Sequence, residues 1–184
     1  MAVPLARTRQ DGEVGVAIVG RPGLVGVPVV LGTMRSPHRC FVEVPGEALQ
    51  IAADDLRRAM DESPSLRQQL MNHVQALPVQ NAQTVLCSAR HRLEQRLTRL
   101  LLLAHDRAED DAIALTHEFL AMMVGARRAG ITTALERLEQ DGAIRRKRGV
   151  VEIVDRVLLE HRTCECYRVI AAEYRRLIDF YRLV

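Results

Sequence analysis

An α+β fold is predicted for the 184 residues, ordered as a β-roll, one long helix and a winged helix-turn-helix. Three stretches carry that expectation. From Glu13 to Ile51, short β-branched runs are cut by glycine and proline, as in a roll or sandwich of short strands. From Ser63 to about Arg90, apolar residues recur at helical spacing behind a Ser-Pro start. From Thr116 to Val154, two short amphipathic patterns meet at Gly125 and run into a basic hairpin.

In the first stretch the runs VGVAIVG, RPGLVGVPVVLG, RCFVEV and EALQI read as strands. Gly20 to Gly26 is a glycine-rich turn between two of them, and Arg35 to Arg39 falls in a later loop. Glycine amides beside an arginine can hold a phosphate. Tight turns in a β-roll are the commoner use of such glycines. Ala52 to Met60 reads as a short amphipathic helix.

Ser63 is an N-cap and Pro64 suits the first helical position, so a new helix starts there. Leu66, Leu70, Val74 and Leu77, then Ala82, Val85, Leu86 and Ala89, give it a narrow apolar stripe, the kind that pairs with a second copy of itself. Pro78 is expected to kink it. Leu93, Leu97, Leu100 and Leu101 open the next helix, so a boundary falls near Ser88 to Arg92. His105 to Asp111 is an acidic connector, more often solvated than metal-binding, and Ala112 to Leu115 is a short strand able to pair with the hairpin.

Thr116 caps a helix with Phe119, Leu120, Met123 and Val124 on its buried face, and Gly125 ends it in the left-handed conformation. The following helix buries Ile131, Ala134, Leu135 and Leu138, stops at Gly142, and leaves Arg127, Arg128, Thr132, Thr133 and Arg137 outside. Docking by one face and offering N-terminal polar residues outward is what a recognition helix in the major groove requires. Two helices around a glycine also occur in many all-α proteins. The next residues favour the nucleic-acid reading. Ile144 to Val154 is apolar strand, cationic turn, apolar strand, and Arg145, Arg146, Lys147 and Arg148 are placed as a wing gripping phosphates. A cationic run alone is usually a solvated loop; its position behind the two helices decides for phosphate contact.

After Asp155 the chain is expected to be helical to its end. Cys164, Tyr167, Ala171, Tyr174, Ile178 and Tyr181 form a packing seam at 3-4-3-4-3 spacing. His161, Cys164 and Cys166 are the sharper alternative as metal or redox ligands. Residues two apart on a helix project about 200° from one another, which argues against one ion unless the helix unwinds. No metal or cofactor is therefore expected.

Composition sets the outer limits. With 48% hydrophobic residues a real core is available, and a formal charge of +3 leaves any polyanion binding to local clusters. Of 26 cationic residues only Lys147 is lysine, which carries no function by itself. No run is long and apolar enough for a membrane span, and Met1 to Val14 lacks a secretory core, so a cytoplasmic chain with reduced thiols at its four cysteines is expected. No nucleophile stands with a base at motif spacing, so an enzyme is not expected.

Roll, long helix and winged helix in this order resemble the Crp/Fnr superfamily of bacterial transcription regulators, best from Leu93 to Val154 and more loosely from Gly15 to Leu86. The chain is similar to a branch carrying Cys-Glu-Cys-Tyr after the wing, here Cys164 to Tyr167. The resemblance implies a partial cyclic-nucleotide-binding-like roll at 1–60, a dimerisation helix at 61–91 and a DNA-binding domain at 92–184. It also implies a homodimer that binds palindromic double-stranded DNA and contacts RNA polymerase. Thr116 matches the family's phosphate contact, and Arg128 its guanine-reading arginine, a pairing that suits the two guanine acceptors. The family's next glutamate is Ala129 here and its later arginine is Thr133, so the usual half-site is not expected.

Where the family has Gly-Glu-x-Gly for a cyclic nucleotide, this chain has Gly23-Leu24-Val25-Gly26, and leucine accepts no bond from a ribose hydroxyl. Arg35-Ser36 resembles the phosphate-binding pair, and Gln80-Asn81 replaces the Thr-Ser pair that meets adenine. Gly23, Gly26, Arg35 and Ser36 thus mark a vestigial effector pocket, with cyclic AMP not expected and any other effector unknown. The N-terminal cysteine cluster of the iron–sulfur branch is not matched. A roll that looks short at its front supports one alternative, an effector-blind interaction protein that pairs with a full-length regulator.

Overall fold

The computed structural model describes residues 1–7, 13–21 and 23–178. Its first sheet has three antiparallel strands in the order β2-β1-β3, with β1 Ala2–Arg7, β2 Glu13–Gly15 and β3 Arg39–Val42. The central strand β1 lies upstream of the region read as strands. Its local signal is only the pair Val3 and Leu5, both buried, around Pro4. The ladders to residues far along the chain define it: Val3 faces Phe41 and Leu5 faces both Gly15 and Arg39.

Three of the expected strands need correction. VGVAIVG is a strand only to Gly15; beyond it Ala17 and Ile18 are buried and Val19 makes a single bridge to Ala2. VPVV is a helical turn, α1 Val27–Val30, with Pro28 in its first turn. Proline fixes φ near the helical value and has no N–H to give a ladder, which favours the turn over a strand. Glu47 to Ile51 forms no strand, and Leu49 and Ile51 are exposed.

Helix α2 Ala53–Glu62 packs Leu56 and Met60 against Val30 and the flank of α3 Pro64–Arg90. The Ser63 hydroxyl accepts from Leu66 N at 3.3 Å, which is the expected cap, and α3 continues as one helix past Pro78. The chain breaks at His91 and re-enters α4 Leu93–His105, where the Gln95 side chain accepts from Arg92 N at 3.3 Å. Leu97, Leu101 and Leu102 of α4 are wholly buried at the centre of the molecule.

Then follow β4 Ala112–Ile113, α5 His117–Val124, α6 Arg128–Gln140, β5 Ile144–Lys147 and β6 Val150–Ile153, the second sheet having the order β4-β6-β5. Val3 and Leu5 of the front sheet, and Ile18 just beyond β2, share one buried cluster with Leu101, Leu120 and Leu135. Phe41 meets Phe119 edge to face at 6.4 Å. The front sheet therefore rests on the helix-turn-helix rather than enclosing a core of its own.

The connector after α4 is ordered, not merely solvated. Arg156 donates to Asp106 Oδ1 at 2.6 Å and meets His105 Nδ1 at 2.7 Å; His105 Nε2 meets Asp111 Oδ1 at 2.7 Å, and Tyr167 Oη donates to Asp106 at 3.1 Å. Its organising cation arrives from a helix 50 residues later.

The C-terminal region is not one helix. Asp155 caps α7 Arg156–Arg162, accepting from Leu158 N at 2.9 Å, and Thr163 and Cys164 are extended before α8 Glu165–Leu177. Tyr167, Ala171, Tyr174 and Ile178 form the expected buried seam, and Tyr181 lies outside the described residues. Asn72 of α3 donates to Leu177 O at 2.9 Å, so α8 lies along α3. Between them Arg107, 7% exposed, donates to Gln80 Oε1 at 2.9 Å and stacks 4.7 Å from the Tyr174 ring centre.

Candidate nucleic-acid interface

The interface is built on the pair α5 and α6. Thr116 Oγ1 accepts from Phe119 N at 3.1 Å and starts α5. Gly125, at φ 62°, ends it and reverses the chain, a conformation that a Cβ would strain. Arg96 of α4 binds the carbonyl of Val124 and fixes the turn from below. Ile131, Ala134, Leu135 and Leu138 seat α6 on the core, each 6% exposed or less.

What remains outside is polar and basic. Arg127, Arg128, Thr133 and Arg137 are exposed and Thr132 is half-buried. Thr132 Oγ1 donates to Arg128 O at 3.2 Å and lies 3.0 Å from His117 Nδ1; Thr133 Oγ1 donates to Ala129 O at 3.2 Å. Arg137 reaches Glu94 at 3.9 Å. The guanidinium groups of Arg127 and Arg128 have no hydrogen-bond or ion-pair partner among the described residues. Both stand at the N-terminus of a 13-residue helix with no acidic residue in its first turn. Two cations at the positive end of a helix dipole are unfavourable in the free protein, and an arriving anion relieves both.

The hairpin divides its four cations. Gly149, at φ 72°, takes the one turn position that L side chains rarely adopt. Arg145 and Lys147 both pair with Glu152 across the ladder, at 3.2 and 2.9 Å. Arg146 turns inward: its N–H and Nε both donate to Glu139 at 2.7 Å, tying the hairpin to the end of α6. Arg148 at the tip is exposed and has no partner among the described residues. These pairs hold the carboxyls of Glu139 and Glu152 below their ordinary range, through hydrogen bonds from Arg146 and Lys147 respectively. Burial, then the charges of Arg128 and Arg146, lowers His117.

The four residues expected to mark a vestigial effector pocket differ in their surroundings. Gly23 lines a small cleft with Ile18, His73, Leu77, Arg107 and Tyr174. Gly26, Arg35 and Ser36 are exposed, and the Ser36 hydroxyl donates to His38 O at 2.9 Å within its own turn.

One cluster runs against the expectation for the C-terminal cysteines. Because Cys164 is extended rather than helical, its thiol turns to the same side as that of Cys166. Cys87 and His91, from the end of α3, meet them there, while His161 is exposed elsewhere. The sequence signal for this meeting is the four-residue spacing of Cys87 and His91, which puts both on one face of a helix end. Cys87 lies 3.5 Å from Cys164, and Cys166 lies 3.7 Å from His91 Nδ1. The shared hydrogen bond raises the Cys87 thiol and lowers that of Cys164, and burial raises Cys166.

A family model, the Crp-like helix-turn-helix domain, matches residues 95–162, which span α4 through α7. The chain carries a Crp-like helix-turn-helix domain. No curated protein matches in sequence. Among solved structures, a CRP-family transcriptional regulator of Thermus thermophilus superposes with TM-score 0.60 at 18% identity, over 88% of this chain and 82% of that one. FixK2 of Bradyrhizobium japonicum gives TM-score 0.63 at 16% identity, over 89% and 83%. The c-di-GMP-responsive regulator CLP of Xanthomonas campestris gives 0.56 at 16%, over 83% and 79%. At these identities the likeness is one of fold, and the fold is that of Crp/Fnr regulators. The matched residues take in α6 and the β5–β6 hairpin. No helix among the described residues is long and apolar enough to cross a membrane.

Proposed function

We propose that this chain is a sequence-specific, double-stranded-DNA-binding transcription regulator that acts as a homodimer and not as an enzyme. The observation that carries the proposal is the pair of unpartnered arginines at the N-terminus of α6, held on a fully seated helix inside a Crp-like domain. Arg128 reads guanine with two N–H donors, Arg127, Thr132 and Thr133 complete the base-facing edge, and Thr116 donates its hydroxyl proton to a phosphate. Among the wing cations Arg148 grips phosphate first. Arg145 and Lys147 follow by exchanging Glu152 for DNA, and Arg146 chiefly holds the wing in place.

Dimerisation is assigned to α3, within a functional division of 1–60, 61–91 and 92–184. Leu70, Val74 and Leu77 are covered within the chain, but Met71, Gln75, Pro78, Ala82, Val85 and Ala89 are exposed at 4-3-4-3-4 spacing. That is a heptad seam awaiting a partner helix, and symmetry makes a second copy the fitting one. A cyclic-AMP response is not part of the proposal. Gln80, 2% exposed, is engaged by Arg107 inside the chain, and Leu24 supplies no acceptor for a ribose hydroxyl. Contact with RNA polymerase is proposed from the fold likeness alone.

The test is fluorescence anisotropy on a labelled promoter-pool duplex and an unrelated duplex over a salt series. The reading expects tight binding whose logarithm falls linearly with the logarithm of salt. Binding of neither duplex at low salt would refute it.

A further inference from the structure

The junction between α3 and α8 holds a set of side chains that the DNA interface does not use. The thiols of Cys87, Cys164 and Cys166 and a ring nitrogen of His91 all lie within 4.8 Å of one another. The three cysteines are 0%, 3% and 0% exposed, and the His91 side chain is 15% exposed. We propose that these four residues form a closed tetrahedral site for one Zn²⁺ ion, which clamps the end of the long helix to the C-terminal helix.

Four observations support one ion of this kind. The first is distance. Metal–sulfur bonds of about 2.3 Å at tetrahedral angles put neighbouring sulfurs about 3.8 Å apart, and a sulfur and an imidazole nitrogen about 3.6 Å apart. Cys87 to Cys164 is 3.5 Å and Cys166 to His91 Nδ1 is 3.7 Å. A four-iron cluster holds its ligands on different metal atoms and would spread them more widely.

The second is donor chemistry. Three thiolates and an imidazole are a set that Zn²⁺ favours, and four protein ligands leave no open position, as in structural zinc sites.

The third is the histidine's other nitrogen. Nε2 of His91 faces Glu165 Oε1 at 3.4 Å, so Nε2–H is held by a carboxylate and the lone pair of Nδ1 points at the thiols. This is the carboxylate–histidine–metal arrangement, and it gives the glutamate between the two cysteines a role.

The fourth is charge. Three thiolates and one divalent cation carry a net −1. Arg99, 5% exposed, lies against Cys87, bonds Thr84 Oγ1 at 3.2 Å, and has an Nε with no partner among the described residues. A buried guanidinium is costly without an anion beside it. Binding displaces a proton from each thiol to the buffer, takes histidine neutral, and changes no oxidation state.

The backbone is shaped for the same end. Cys87 O accepts from His91 N at 3.0 Å as α3 closes, which holds the first two ligands. The extended residue Cys164, N-cap of α8, supplies the third, and Cys166 in the first helical turn supplies the fourth. The ligands thus come from two segments separated by the whole Crp-like domain, so the ion fixes how that domain sits against α3.

The experiment uses the full-length reduced chain. Metal content is read by mass spectrometry after purification, and the apoprotein is titrated with Co²⁺ while visible and near-ultraviolet absorption is followed. The expected result is about one zinc per chain and one equivalent of Co²⁺ with strong tetrahedral d–d bands and sulfur charge transfer, displaced by Zn²⁺. Cys40→Ser, an exposed cysteine on β3, keeps the full spectrum, whereas Cys166→Ser loses the charge transfer of one thiolate and at least a hundredfold in affinity. Glu165→Gln keeps the tetrahedral bands and loses ten- to a hundredfold in affinity, the usual effect of removing such a partner. Circular dichroism of each variant separates a lost ligand from a lost fold. Wild-type protein that binds no Co²⁺, holds iron with acid-labile sulfide, or carries a Cys87–Cys164 disulfide after purification without oxidant would overturn the proposal.

Discussion

Arg128 and Arg148 are both exposed arginines without partners among the described residues, yet their positions give them different work. Arg128 stands at the first turn of a seated helix, so its fork is aimed, and Arg148 stands at the tip of a turn, so its charge is merely near. Arg128→Ala is expected to cost about 1–3 kcal/mol at one base pair and little on random DNA. Arg148→Ala should weaken binding to every sequence and reduce the salt slope by about 0.9. Anisotropy on matched and random duplexes checks both, and equal losses for Arg128→Ala would remove its assigned role. His117 supplies a third check. Burial is the main cause of its lowered pKa, and the Arg128 charge adds to it. A histidine whose folded pKa lies below its ordinary 6.5 contributes stability that is complete above that pH and is lost as pH falls through the lowered value. In Arg128→Gln the His117 imidazole should therefore titrate at higher pH in an NMR series, and an unchanged titration would sever that coupling.

At the level of elements, Leu135 shows how α6, the proposed recognition helix, is held. It is wholly buried beside Leu120 and Ile131, and Leu135→Ala is expected to cost about 2–5 kcal/mol in a urea unfolding curve. A cost below about 1 kcal/mol would mean that α6 is not fixed by its stripe. Glu139→Gln is a gentler probe. It loosens Arg146 and the wing, with a stability loss below about 1 kcal/mol because the pair is partly exposed, but with a clear fall in DNA affinity. The elements legible in the sequence are those that local chemistry specifies. Thr116, Gly125, Ser63-Pro64 and Asp155 end or begin helices by capping, and Gly149 turns the hairpin. The roll is poorly legible because its strands are set by distant partners: Val3 needs Phe41, and Pro28 overrides the β-branched run around it. Likewise no local signal marks the break at Thr163 and Cys164, and a continuous helix there would keep Cys164 apart from Cys87 and His91. The residues proposed to face bases are legible in the sequence, but their freedom is not. Only the fold separates Arg148 from Arg145, Arg146 and Lys147, whose carboxylate partners sit on α6 or on the facing strand.

For the whole molecule, one buried cluster joins the front sheet, α4, the helix-turn-helix and α8, and α3 runs along its side with an exposed seam that is apolar except at Gln75. Val85 is 70% exposed on that seam. Val85→Arg should leave the helical dichroism unchanged and shift the sedimenting species from dimer to monomer, while a dimer that persists would place the partner contact elsewhere. Two copies joined by α3 would present two α6 helices to one face of DNA, and symmetry then dictates the form of the site. The most direct test of this account is selection from a random duplex pool by the purified protein at two salt concentrations, with sequencing of the bound fraction. The account predicts an enriched palindrome whose half-sites lie about one helical turn, roughly 34 Å, apart. It further predicts a preference at one position of each half-site that vanishes with Arg128→Ala. Weak, salt-sensitive binding with no enriched sequence would contradict it, leaving a basic surface without a code.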